Sequence, residues 1–179
     1  MIETTIKDIA IYHPQNQVDN APYIEHFTKQ GKDITNLLAA MGREKRYVSN
    51  DVNETPLTMA IKATEDVLKK SNLTLSDMDM IIFTSQTPET TIPSNAVRLF
   101  DHLKGKSNTI IYDLNANCAG MTIALEQVNH YMNSNQSIEK ALIVGADHLT
   151  LVANHEDPLS YACFGDGAAA LIVERTTEK

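Results

Sequence analysis

"NTIIYDLNANCAGMTIALEQVNHYM", residues 108–132, joins two kinds of periodicity across a short polar stretch that carries a cysteine. Residues 108–114 are β-branched and aromatic and read as a strand, whereas 118–133 space their apolar residues as a helix does. The same alternation continues on both sides. Residues 4–12, TTIKDIAIY, predict a strand that stops before Pro14. Pro56 opens a helix in which Leu57, Ala60, Ile61, Thr64 and Leu68 share a face, and Lys69 and Lys70 suit its negative C-terminal end. MDMIIFTS (78–85) predicts a strand, and Pro93 a second helix through Val97, Phe100 and Leu103, with Gly105 as its left-handed stop. KALIVGAD (140–147) predicts a strand. YACFGDGAAALIVE (161–174) predicts two strands about a Gly165-Asp166-Gly167 turn. Between Val18 and Asn53 the text is polar and irregular, with one helix around Asp33–Met41. Strands separated by helices need crossover connections, so this order predicts an α/β domain with a largely parallel sheet.

Bulk properties bound the function. A chain of 179 residues, 42% hydrophobic and 21% charged, suits one ordered domain, here 1–179. The formal net charge is −8, and the densest cations, Arg43, Lys45 and Arg46, read as a solvated turn. Nucleic-acid binding is disfavoured, because phosphate neutralisation needs clustered cations. Two cysteines 45 positions apart match neither a disulfide framework nor metal-ligand spacing, so no metal is expected. The N-terminal text lacks the pattern of a secretory signal, and no apolar run approaches a membrane span, so the expected setting is the reducing cytoplasm.

Cys118 has two readings. It is either a small buried hydrophobe or a thiol placed where a strand hands over to a helix. In the second reading, the unpaired amides and positive dipole end of the helix favour the nucleophilic thiolate, and the same amides can bond an oxyanion. Ala119 and Gly120 leave room for a substrate, at the strand ends where open α/β sheets bind ligands. Cys163, among apolar residues and read as mid-strand, predicts core filler. His148 and Glu89 each follow a strand end and are candidate bases, although an ordinary surface or core histidine and an exposed loop acid are the better readings of them. The glycines of FGDG precede a strand rather than a helix, so a turn explains them better than a phosphate loop.

Taken together, DLNANCAGMTIALE (113–126), KALIVGAD (140–147) and FGDGAAALIV (164–173) resemble the 3-oxoacyl-(acyl-carrier-protein) synthase III group of the thiolase-like superfamily. TPETTIPSNA (87–96) and MGREKRYV (41–48) fit the same pattern in order and spacing. The resemblance implies a thiolase-like half: a five-stranded mixed, mostly parallel sheet with helices on both faces. It extends to the N-terminal half of such enzymes only. The family's decarboxylating histidine and asparagine belong to the C-terminal half and have no counterpart here. The polar TTEK end is therefore expected to mark a piece of a longer chain or a split or truncated gene product.

The resemblance assigns the nucleophile to Cys118. It implies an acyl-cysteine thioester that condenses with malonyl-acyl carrier protein in fatty acid or related biosynthesis. Leu149 and Phe164 match acyl-pocket positions, and Ile92 a bulky residue that reaches the partner subunit's pocket. No cofactor is implied beyond acyl-CoA or acyl carrier protein as substrate. The implied partners are acyl carrier protein, a second copy paired through the TIIYDL strand, and the C-terminal half. Asn36, Ala40 and Pro158 stand where well-studied bacterial members place a tryptophan and two arginines for coenzyme A. An aromatic platform and two phosphate-binding groups are thus missing together, which sets the chain apart from a standard acetyl-CoA enzyme and leaves a carrier-protein-bound donor or a specialised-metabolite role open. Two alternatives come from other classes: a non-catalytic dimerisation or scaffold module, and a stand-alone cysteine acyl hydrolase using His148 or Glu89.

Overall fold

The computed structural model describes residues 3–176. Five strands form the main sheet: β1 (Glu3–Tyr12), β4 (Met80–Thr84), β5 (Ile110–Leu114), β6 (Lys140–His148) and β7 (Asp166–Thr176), in the order β1-β7-β6-β4-β5. β4 pairs in parallel with β5 and β6, while β7 is antiparallel to both its neighbours. Four strands therefore point one way and β7 alone points back, giving the mixed, mostly parallel sheet.

Helices cover both faces, as a parallel core requires. α3 (Pro56–Ser71) and α4 (Asn95–His102) lie on one face, where Ala60, Val67, Ala96 and Leu99 pack with Ile81 and Phe83 of β4. α5 (Gly120–Ser134) lies on the other, where Ala124, Val128 and Met132 meet Met80 and Ile82. Alternate residues of β4 thus feed opposite cores, and all five are buried. A smaller cluster joins α1 (Ala21–Lys29), α2 (Thr35–Ala40) and α6 (Pro158–Cys163), and beside it β2 (Gln17–Asp19) pairs with β3 (Lys45–Tyr47).

Four sequence expectations need correction. YAC is not a strand: Asp157 caps α6 by accepting from Leu159 N and Ser160 N, with Pro158 as first residue, and Cys163 ends that helix. One strand, β7, follows, and neither Gly165 nor Gly167 has a positive φ. The left-handed residue after α4 is Lys104 (φ 56°), not Gly105. Gly105 instead makes room for Phe100, because a Cβ there would clash with its ring. The stretch read as irregular, with the residue before it, holds β2, α1 and β3 besides the expected helix. Finally, Arg46 is buried rather than solvated; its guanidinium lies 4.2 Å over the Tyr23 ring and donates to Asp19 O and Asn20 Oδ1.

Candidate functional site

A cleft of about 330 Å³ opens at the C-terminal ends of β4 and β6. Because β7 is antiparallel, its first residues lie at the same end, and Gly167–Ala169 complete the wall beside Gly145–Asp147 and Thr84. Cys118 lines this cleft and is exposed. It lies not in α5 itself but in the 3-10 turn Asn117–Ala119 that runs into it.

Local chemistry explains the turn. Asn117 is left-handed (φ 50°), a conformation asparagine tolerates better than most residues. Its N–H donates to Asn115 Oδ1 at 3.1 Å, and Ala119 N–H to Ala116 O. Two glycines then let α5 lie close on the sheet. A Cβ on Gly120 would stand 3.1 Å from Thr84 Cβ, and one on Gly145 2.6 Å from Met121 Sδ.

The cleft's opposite rim is fixed by Asp147. One of its oxygens accepts from Gln86 N (2.6 Å), Ser85 Oγ, Thr87 N and Thr87 Oγ1, and Thr87 Oγ1 in turn accepts from His148 N. The segment after β4 is thereby pinned to the end of β6, with Gln86 in the cleft lining. Asp113 does comparable work from β5, accepting from Asn95 N and Ala96 N at the start of α4. Asp166 ties two loops together through Ser49 N, Thr150 N and Thr150 Oγ1.

The other sequence-singled residues fall into three places. Leu149 and Phe164 share another pocket of about 340 Å³ with Arg43, Lys45 and Arg46, and Gly165 lines both that pocket and the Cys118 cleft. Cys163, also in that pocket's lining, is buried 3.4 Å from Met41 Sδ. Ile92 is 88% exposed on the loop before α4 and lines neither cavity. Asn36 and Ala40 are exposed on α2, and Pro158 begins α6.

Neither candidate base is placed for Cys118. His148, the last residue of β6, is buried with its Nε2 3.5 Å from Asp166 Oδ2, and lines other cavities. Glu89 accepts from Leu57 N in the first turn of α3 and pairs with Arg98 at 2.6 Å. Burial raises its pKa, but hydrogen bonds from Thr55, Arg98 and Leu57 N–H outweigh that and hold it below the ordinary glutamate value. It is a helix cap and an ion-pair partner. Gln86, Asn117, Asp147 and Asp166 were not singled out by sequence reasoning. The available signals were an asparagine directly before the cysteine, the acid that ends VGAD and the acid between the glycines of FGDG.

Comparison with known proteins agrees with this architecture. The family model for 3-oxoacyl-[acyl-carrier-protein (ACP)] synthase III matches residues 112–179. Beta-ketoacyl-[acyl-carrier-protein] synthase III of Clostridium perfringens SM101 is 33% identical over 178 residues, covering 99% of this chain and 53% of that protein. The Streptococcus agalactiae NEM316 protein of that name is 35% identical over 138 residues, covering 77% of this chain and 42% of that protein. The crystal structure of 3-oxoacyl-[acyl-carrier-protein] synthase III from Aquifex aeolicus VF5 superposes with a TM-score of 0.87 at 27% identity, covering 99% of this chain and 55% of that one. The chain thus spans about half the length of the curated relatives it matches. With the motifs, the sheet order and these matches in agreement, the chain belongs to the thiolase-like 3-oxoacyl-[acyl-carrier-protein] synthase III family.

Proposed function

We propose that this chain is the acyl-accepting half of a condensing acyltransferase, with Cys118 as its nucleophile. The observation that carries the reading is placement: an exposed thiol in the turn ahead of α5, in a cleft at the C-terminal ends of the parallel strands. Such a sulfur attacks the carbonyl of an acyl thioester; the old carbon–sulfur bond breaks, and the acyl group stays as a cysteine thioester while the donor thiol leaves with a proton. In the intact protein the acyl group would pass to the carbanion of a decarboxylated malonyl unit on acyl carrier protein, in fatty acid or related biosynthesis in the cytoplasm. Leu149 and Phe164 would contact the acyl chain from the pocket that Gly165 also lines. Ile92, standing free of its own subunit, would reach a partner's pocket. β5 ends the sheet order, which suits pairing with a second copy. The chemistry needs no resident cofactor.

Two measurements test this together. Limited iodoacetamide treatment followed by peptide mapping is expected to label Cys118 ahead of the buried Cys163. A malonyl-dependent assay is expected to give no condensation by the 179-residue chain, since the histidine and asparagine of the family's other half are not among its residues. Losing even one oxyanion donor typically costs on the order of 100- to 1,000-fold in rate. Preferential labelling of Cys163, or robust turnover by the chain alone, overturns the assignment.

A further inference from the structure

The polar groups around Cys118 are unequally committed. Thr84 Oγ1 donates to Val144 O, and Asp147 Oδ1 receives four donors. Among the described residues two polar side chains in the cleft lining besides Cys118 make no hydrogen bond within the protein: the carboxamides of the half-buried Gln86 and the exposed Asn117. Both stand on fixed backbone. Gln86 N–H is held by Asp147 at 2.6 Å, and Asn117 is locked left-handed with its N–H on Asn115. Much of the remaining wall is glycine and alanine, with Met121 as its large apolar side chain. Rigid backbone with unspent donors and acceptors at the tip is the arrangement of a recognition group, because little order remains to be imposed on binding.

We propose that Gln86 and Asn117 determine which acyl groups Cys118 accepts, and that they select short acyl thioesters carrying a hydroxyl near the carbonyl. This rests on the reading of Cys118 as the acylated nucleophile and adds a substrate class to it. A carboxamide offers one acceptor oxygen and two N–H donors, and a hydroxyl both gives and takes a hydrogen bond. A plain alkyl chain pressed against the same two groups removes their water and returns nothing, so it is disfavoured. Discrimination of this kind comes from the polar groups left unpaired by the wrong substrate, which an apolar pocket cannot supply.

The test compares 3-hydroxybutyryl and butyryl thioesters of N-acetylcysteamine, with acylation of Cys118 in the full chain followed by intact-mass and peptide spectrometry. The hydroxyacyl thioester is expected to acylate about tenfold faster. Gln86→Leu keeps the bulk and removes the hydrogen bonds. Asn117→Gly removes the carboxamide while tolerating the left-handed backbone. Each is expected to slow hydroxybutyrylation toward the butyryl rate, with circular dichroism and thermal melting establishing that the variant is folded. Equal rates for the two thioesters, or a preference that survives in both folded variants, overturns the selectivity and leaves the role of Cys118 standing. Acylation of Cys118 by neither thioester overturns both.

Discussion

Met121 lies against Gly145 so closely that a Cβ on the glycine would stand 2.6 Å from its sulfur and 2.9 Å from its Cγ. This contact sets how deeply the first turn of α5 settles on β6. Gly145→Ala is expected to lower stability by about 1–3 kcal/mol through overpacking. Met121→Ala in the same chain should recover part of that loss, because the clash then has no partner. A double-mutant cycle by denaturant unfolding measures the coupling, and simple additivity would show that Gly145 does not set the helix depth.

Acid stability should depend on Asp79. Its carboxylate accepts from Lys106 Nζ, Glu139 N and Lys140 N, joining the starts of β4 and β6. Burial raises its pKa, but these hydrogen bonds and the Lys106 charge prevail and leave it below the ordinary aspartate value. A carboxyl depressed in the folded state stabilises above its unfolded pKa, about 3.9, and that contribution fades as pH falls through the lower folded value. Asp79→Asn should cost on the order of 2 kcal/mol at neutral pH and flatten the loss of stability below about pH 4. Unchanged acid unfolding would exclude this role.

Arg175 closes the far end of α5. Its Nη2 donates to the carbonyls of Met132, Asn135 and Ile138, where a cation also meets the negative helix end. Arg175→Met, which keeps the apolar stem, is expected to cost about 2 kcal/mol. Amide exchange should quicken first in the last turn of α5. Uniform loss of protection across the sheet would point to global destabilisation instead.

Beyond the reach of α5, one face of β1 carries an apolar row. The register shift between Ile6 and Asp8 turns Ile6 onto the side shared by Ile9 and Ile11, and these are 42%, 48% and 67% exposed. Such rows on a sheet face favour association. The chain is expected to sediment above monomer mass and to bind an apolar dye, less so after Ile9→Thr with Ile11→Thr. A clean monomer without dye binding would contradict this.

The main sheet was legible because its strands are β-branched runs with Pro or Gly nearby, and α3 because Thr55-Pro56 precedes regular apolar spacing. What escaped had weak or misleading local text. α1 buries only Tyr23 and Phe27, so its apolar periodicity is faint, and the start cue in Asn20-Ala21-Pro22 stood without it. YAC is apolar enough to pass for a strand, yet Asp157-Pro158 ahead of it was the better cue. At the site, the position of Cys118 followed from the strand-to-helix handover. The capping roles of Asp113, Asp147 and Glu89 did not, because each depends on backbone N–H groups 17 or more residues away that only tertiary structure brings close.

The carboxylate of Asp113 gives the β5 edge a second role. It is a strand residue, yet both its oxygens hold the opening N–H groups of α4, directly after the loop that carries Ile92. One side chain thus ties the edge of the sheet to the start of α4 and to the loop before it. If a second copy adds to that edge, as proposed above, Asp113 is the link through which the loop would register it, and Asp113→Ala would remove the link while leaving the β5 backbone free to pair.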